Sequence, residues 1–140
     1  MDTQDTTTGT SIMELSIWLP LPPVELSKNG RAHWAERHEI FQSHKMVARS
    51  AINRVLPSGF TAWRGAVDVH IVWHQANRGH WPDRDNTIQR CSAFMDAAED
   101  AGLIANDRQI RSFRVDYEKS TDEGVSITFT HDEGAGDEAI

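Results

Sequence analysis

The stretch WPDRDNTIQRCSAFMDAAEDAGLIANDRQI, residues 81–110, decides how the fold is interpreted. Either Asp85 or Asn86 is a suitable N-cap for a helix, and Gly102 is a suitable residue to end it. Between them, apolar and small residues recur at steps of three and four, which predicts one helix face: Ile88, Cys91, Met95, Ala98 and Gly102. The stretch therefore predicts a helix that follows acidic residues and leads into a loop carrying Asp107.

The sequence on either side of this helix predicts one further helix and four strands. A three- and four-residue apolar repeat predicts the helix, from Trp34 to about Leu56. The strand segments are IMELSIWL (12–19), GAVDVHIVWH (65–74), QIRSFRVDYEK (109–119) and GVSITFT (124–130). The order β-α-β-α-β-β predicts an α+β single domain with one mixed sheet of about four strands, covered by two helices.

The net charge of −7 is unevenly distributed along the 140 residues. Residues 1–14 and 121–140 together carry nine acidic residues and no Lys or Arg. All 14 Lys and Arg lie between them, against 12 Asp and Glu, so the body of the chain carries +2. A phosphate-bearing partner is therefore not excluded by charge. We expect acidic tails at 1–11 and 131–140, and a folded domain over 12–130.

Two features limit the class of protein. No apolar run has the length of a membrane span, and the polar start MDTQDTTTGTS lacks the parts of a signal peptide. We therefore expect a cytoplasmic protein with no membrane partner. The single cysteine, Cys91, has no internal disulfide partner and is interpreted as a small buried hydrophobe.

Asp83, Asp85 and Asp107 are the candidate metal ligands. In an extended segment residues two apart point the same way, so Asp83 and Asp85 are expected to face one ion. The loop after the helix returns Asp107 to the same end if its strand pairs beside residues 65–74. Such an all-oxygen set suits Mg²⁺, or Mn²⁺, better than Zn²⁺. Taken alone, however, a D-x-D pair before a helix is more often a turn and an N-cap.

Two separated motifs resemble the RusA-like family of Holliday junction resolvases, phage and prophage endonucleases that cut four-way DNA junctions. The first is DRDN…MDAAEDAGLIANDRQI, which matches the family pattern at Asp83, Asp85, Asn86, Asp96, Ala101, Gly102, Asp107 and Gln109. The second is LPLPPVELSKNGRAHW, which resembles the Pro-Pro…Asn-x-Arg-x-His-Trp opening of phage members. Together they extend from Leu19 to about Tyr117.

Two positions depart from the family pattern. The family's helical Lys has no counterpart, because Ser92 stands at its place and the nearest basic residue in the helix is Arg90. The acidic pair before Gln begins with Asn106 rather than Asp. The first departure brings the cleavage rate into question, because the positive charge of the Lys is missing. Arg84 and Arg90 are the candidate substitutes for that charge. Asp96, midway along the helix, is expected to be structural or supporting.

The resemblance implies an Mg²⁺-dependent endonuclease that resolves four-way DNA junctions in recombination or repair and acts as a homodimer. The expected catalytic residues are Asp83, Asp85, Asp107 and Arg90, of which the three Asp hold the metal. The expected DNA contacts are Lys28, Asn29, Arg31, His33, Arg84 and Arg108. The expected supporting residues are Asn86, Ser92, Asp96 and Asn106.

Two alternative functions remain open from the sequence. One is a family member that binds branched DNA but has lost most cleavage together with the Lys. The other is a small phosphodiester hydrolase that does not act on DNA. Trp34 and Trp81 flank the expected site, and the sequence leaves open whether they stack on bases or pack within the protein.

Overall fold

The computed structural model describes residues 12–27 and 33–132. Its helices and strands follow the order β1 (Glu14–Leu19), α1 (Trp34–Val55), β2 (Val67–His74), α2 (Arg84–Arg90), α3 (Ser92–Asp100), β3 (Ile110–Glu118) and β4 (Gly124–His131). Short 3-10 turns lie at Val24–Leu26, Arg78–His80 and Asp107–Gln109. The predicted α+β domain with one mixed four-stranded sheet is confirmed.

The strands lie in the order β1-β4-β2-β3. β4 is antiparallel to both β1 and β2, whereas β3 runs parallel to β2. A parallel neighbour requires a crossover connection, and α2 and α3 supply it. The strict alternation in β2 points one set of side chains into the core: Val67, Val69, Ile71 and Trp73.

The core lies between this face of the sheet and the helices α1 and α3. Ala48 and Ile52 of α1 are fully buried there, and so is most of the apolar face of α3. Lys45 of α1 also bridges two carboxylates of α3, Asp100 at 2.8 Å and Asp96 at 3.1 Å. The hydrogen bonds to Asp100 and then Asp96 raise the pKa of Lys45. Asp96 thus joins two helices, as expected of a structural residue.

The helix predicted from Asp85 or Asn86 to Gly102 is two helices, interrupted at Cys91. Cys91 has φ −93° and ψ 5°, and its N–H is shared between the carbonyls of Thr87 and Ile88. The interruption follows from packing, because α3 lies on α1 whereas α2 lies on β3 and the Val24–Leu26 turn. Cys91 is fully buried at the break, as predicted. Gly102, at φ +84°, ends α3.

The buried side chain of Gln109 ties the loop before β3 to the segment before β2. Its Oε1 accepts hydrogen bonds from the N–H groups of Ala105 and Asn106, both at 2.8 Å. Its Nε2 donates to the carbonyl of Trp63 at 2.8 Å and of Gly65 at 2.9 Å. This Gln is one of the positions that carry the family resemblance, and here its role is to hold two chain segments together.

The boundaries of the folded part differ slightly from the prediction. β4 continues to His131, and the N–H of Asp132 donates to the carbonyl of Ala66, so both residues belong to the fold. The expected tail at 1–11, and residues 133–140 of the tail expected at 131–140, lie outside the described residues. Over residues 12–27 and 33–132, no helix combines the length and apolar character needed to cross a bilayer.

Candidate functional site

Asp83 and Asp85 lie exposed at the start of α2. Asp83 is the N-cap, and its Oδ1 accepts the N–H of Asn86 at 2.8 Å. The hydroxyl of Thr87 donates to the Asp83 carbonyl, which closes the first turn. The helix therefore begins at Arg84, before the predicted start. Since Asp85 is already helical, the argument that residues two apart in an extended segment point the same way does not apply here.

Asp107 lies in the 3-10 turn before β3, beyond α2 and α3 along the chain from this pair. β3 does pair beside β2, as the prediction required, but the pairing is parallel. Asp107 therefore precedes the amino end of β3, whereas Asp83 follows the carboxyl end of β2. Asp107 is exposed, and its N–H donates to Oε1 of Glu99. Its place in the expected metal site stays a prediction.

Asp83 and Asp85, at the start of α2, are two of the three expected metal ligands. Within 12–27 and 33–132, no three His, Cys, Asp or Glu side chains group closely enough to hold a metal ion. Mg²⁺, however, is commonly held by one or two carboxylates together with water and substrate phosphates. The exposed pair Asp83 and Asp85 fits an ion shared with a phosphate.

A stack of side chains fixes the segment that leads to Asp83. The guanidinium of Arg78 lies 5.3 Å from the centroid of the Trp81 ring, which stacks in turn on Tyr117 at 5.3 Å. Trp81 Nε1 donates to the carbonyl of Gln75, and the Tyr117 hydroxyl lies 3.2 Å from that of Thr87. Trp81 is therefore a packing residue. Tyr117 and Arg78 were not predicted, because Tyr117 meets Trp81 only through the tertiary fold.

The predicted DNA contacts lie at several places in the structure. Arg84 is exposed beside the pair, and its Nη2 donates to the Phe113 carbonyl of the edge strand β3 at 2.8 Å. Arg108 is exposed next to Asp107. His33 is the N-cap of α1, where its ring accepts the N–H of Ala35. The remaining predicted contacts, Lys28, Asn29 and Arg31, lie outside the described residues.

Arg90, predicted as a substitute for the missing Lys, has contacts typical of a packing residue. Its guanidinium lies 4.8 Å from the centroid of the Trp73 ring and donates to the carbonyl of Pro22. Burial lowers its pKa. These contacts anchor the segment after β1 against α2. Its catalytic role stays a prediction.

The other predicted supporting residues have clear local roles. The Asn106 side chain accepts the N–H of Arg108 at 2.8 Å, and it forms a capping box with Gln109 around the 3-10 turn. Asn86 supplies the N–H that Asp83 accepts. Ser92 opens α3 and lines a cavity beside α1.

The outer face of the sheet carries two histidine–carboxylate pairs. His70 Nε2 lies 2.7 Å from Asp116 Oδ2, and this hydrogen bond is the largest cause that lowers the pKa of Asp116. His74 lies between Glu118 and Ser126, at 3.3 Å from each. Each histidine therefore has its own partners and neither pairs with the other.

Comparison with known proteins supplies one relative. No family model matches the chain. An uncharacterized protein from Xylella fastidiosa (strain Temecula1 / ATCC 700964) is 32% identical over 98 residues, which cover 69% of this chain. The matched residues span 63% of that relative's length. The relative's name states no activity, so this similarity assigns no activity to the chain.

Proposed function

We propose that this protein is a metal-dependent, structure-selective endonuclease that cuts branched DNA such as a four-way junction. The observation that carries the proposal is the exposed pair Asp83 and Asp85 at the head of α2, inside the D-x-D-N motif. The motif has the residue types that the RusA-like resemblance requires. Arg78 and Arg84 lie on either side of Asp83 in sequence and are both exposed.

The chemistry of the pair agrees with phosphodiester hydrolysis. A divalent ion bound there would neutralise charge on the phosphate and lower the pKa of a bound water. Asp83 and Asp85 supply carboxylate oxygens, and the N-cap bond of Asp83 to Asn86 orients the first of them. Exposed Arg side chains beside the pair are suited to hold the flanking phosphates. The proposal includes Asp107 and Arg108, in the 3-10 turn before β3, as further contributors to the site.

The proposal includes a homodimer. A four-way junction has two-fold character, and paired cuts in opposed strands require two equivalent sites. Two copies of this chain related by a two-fold axis would provide them. Gel filtration of the protein with junction DNA would test this, and a monomeric complex would count against paired cutting.

A second candidate function is binding of branched DNA without efficient cleavage. Two observations favour it: within the described residues no three His, Cys, Asp or Glu side chains group closely enough to hold a metal ion, and Ser92 stands where the family carries Lys. Such a protein would keep the phosphate contacts and lose the complete metal site. Replacing Ser92 with Lys distinguishes the two, because a large gain in cutting would identify an impaired nuclease.

The deciding experiment incubates the protein with a labelled four-way junction, a linear duplex and a small phosphodiester, with and without Mg²⁺. Paired nicks in the junction alone support the endonuclease. A gel shift without cuts supports the binding protein, and turnover of the small diester alone supports a hydrolase that does not use DNA.

The Asp85→Asn variant then tests the site itself. It should abolish cutting and leave junction binding intact, because it removes a metal ligand and not a phosphate contact. The matched control is Asp122→Asn, an exposed carboxylate in the turn between β3 and β4. Cutting at the wild-type rate by Asp85→Asn would show that the site is assigned wrongly. Comparison with Asp107→Asn measures what the third carboxylate adds.

A further inference from the structure

A cavity of about 310 Å³ opens between the first turns of α1, the Val24–Leu26 turn and the junction of α2 with α3. This volume is at the lower end of the range for small-ligand sites. No step of the proposed cleavage chemistry uses the cavity.

One wall of the cavity is aromatic. Trp34, at the start of α1, is 75% exposed, the largest exposed fraction among the large apolar side chains in the described ranges. Phe41 lies seven residues later, on the same face of α1, and also lines the cavity. The exposed indole of Trp34 provides a stacking surface for a flat aromatic ligand.

The cavity also has polar lining residues. Gln89 of α2, Ser92 of α3 and His38 of α1 line the cavity. An amide and a hydroxyl each offer a donor and an acceptor, which is the combination that reads the edge of a base. A phosphate would instead call for free cationic groups.

The cation that lines the cavity is already engaged by the protein. Nη1 of Arg37 donates to the carbonyls of Glu25 and Ser27, and Nη2 donates to that of Leu26. Arg37 therefore holds the Val24–Leu26 turn against α1, and this wall is in place before a ligand binds. A preformed wall reduces the ordering cost of binding.

The cavity lies beside the proposed cleavage site. Gln89 follows Asp85 by four residues, so both lie on one face of α2 with their Cβ atoms about 6 Å apart. We propose that the cavity binds one unpaired nucleobase of the DNA strand whose phosphate lies at Asp83 and Asp85. The inference rests on the proposed function. Because an unpaired base at a branch point requires the least unstacking, the cavity would favour branched over continuous duplex DNA.

The test measures binding of short fluorescent single strands by anisotropy, without Mg²⁺ so that no strand is cut. Strands of each single base are compared with an abasic strand of equal charge. The wild type should bind at least one base-containing strand more tightly than the abasic one. Trp34→Ala should weaken that binding by about 5- to 160-fold, the range for one stacked base, and leave abasic binding unchanged. Gln89→Ala should reduce the difference in affinity among the four bases.

Met46→Ala is the matched control, since Met46 is a 68% exposed side chain of α1 outside the cavity. Equal affinity of the wild type for base-containing and abasic strands would overturn the inference. An effect of Trp34→Ala no larger than that of Met46→Ala would do the same. Analytical ultracentrifugation without DNA tests a further outcome. If the wild type self-associates and Trp34→Ala does not, a second copy of the chain occupies the cavity, and the inference is overturned.

Failure of this inference and failure of the proposed function give different results. Base-dependent binding is measured without cleavage, so it is detectable even if the protein never cuts a junction. Conversely, Mg²⁺-dependent junction cutting together with base-independent binding would overturn the cavity assignment and leave the endonuclease proposal standing.

Discussion

Replacing Gln109 with alanine removes the hydrogen-bonded link between the loop before β3 and the segment before β2. The Gln109 side chain is 2% exposed and makes four hydrogen bonds, each between 2.8 and 2.9 Å. A fully satisfied buried amide of this kind stabilises the fold, and its removal takes one hydrogen bond from each of its partners.

The free energy lost with each hydrogen bond differs among the four partner groups of Gln109. The N–H of Ala105 lies in an exposed residue and keeps a bond to the Trp63 carbonyl, so the loss there is small. Gly65 is buried, and leaving its carbonyl unpaired costs about 1–3 kcal/mol. The lost packing and the Asn106 bond add to this. We expect Gln109→Ala to lower the free energy of unfolding by about 2–4 kcal/mol, a large part of the roughly 5–15 kcal/mol of a typical domain.

Urea denaturation followed by tryptophan fluorescence measures this loss. Gln89→Ala is the control, because it removes an exposed amide from α2 and should change the free energy of unfolding by less than about 0.5 kcal/mol. Gln109→Glu places a carboxylate against the Trp63 and Gly65 carbonyls at neutral pH. It should destabilise at least as much as alanine there, and less in acid, where the protonated group can donate. Equal denaturation midpoints for Gln109→Ala and Gln89→Ala would refute the reasoning.

Three further predictions concern backbone strain, acid stability and thiol reactivity. Gly102→Ala should lower the free energy of unfolding by about 1 kcal/mol in urea denaturation, since φ is +84° and the added Cβ meets no atom within 4 Å; no loss would contradict the strain argument. The hydrogen bonds from Arg111 and then Ser112 lower the pKa of Asp68 from its ordinary value of 3.8. The stability that these bonds contribute is therefore fully present above pH 3.8, and it is lost as the pH falls through the lowered pKa of Asp68. The stability difference between wild type and Asp68→Asn should therefore shrink in acid, and a constant difference would argue against the pairing. Burial raises the pKa of Cys91 to about 12, so a thiol reagent at about pH 8 should react only after denaturant is added, whereas rapid reaction in the native state would exclude the buried position.

Local patterns were sufficient to predict most of the elements. The alternation over residues 65–74 and the three- and four-residue repeat from Trp34 predicted β2 and α1 close to their observed bounds. Both patterns arise because one side of an element faces the core, so they are visible along a single segment. The break at Cys91 was missed, because an apolar repeat continues across it while the two halves pack on different neighbours.

The geometry of the candidate site depends on contacts between distant segments, which local sequence patterns do not predict. The sequence was sufficient to predict the D-x-D-N motif and its position at the start of a helix. The distance between that motif and Asp107 could not, because it depends on whether β3 runs parallel or antiparallel to β2. The sequence also did not predict the packing roles of Arg90 and Trp81, because their contacts with Pro22 and Tyr117 join residues far apart in the chain.

The sequence by itself determined the α+β class, the order of the strands and helices along the chain, and the acidic pair at the head of α2. These follow from periodicity and capping, which act over a few neighbouring residues. The tertiary structure alone decided the parallel β2–β3 pairing, the division of the second helix, the Gln109 link and the cavity between α1 and the α2–α3 junction. The physical reason is that packing and buried hydrogen bonds depend on which distant segments meet, and no local repeat encodes that choice.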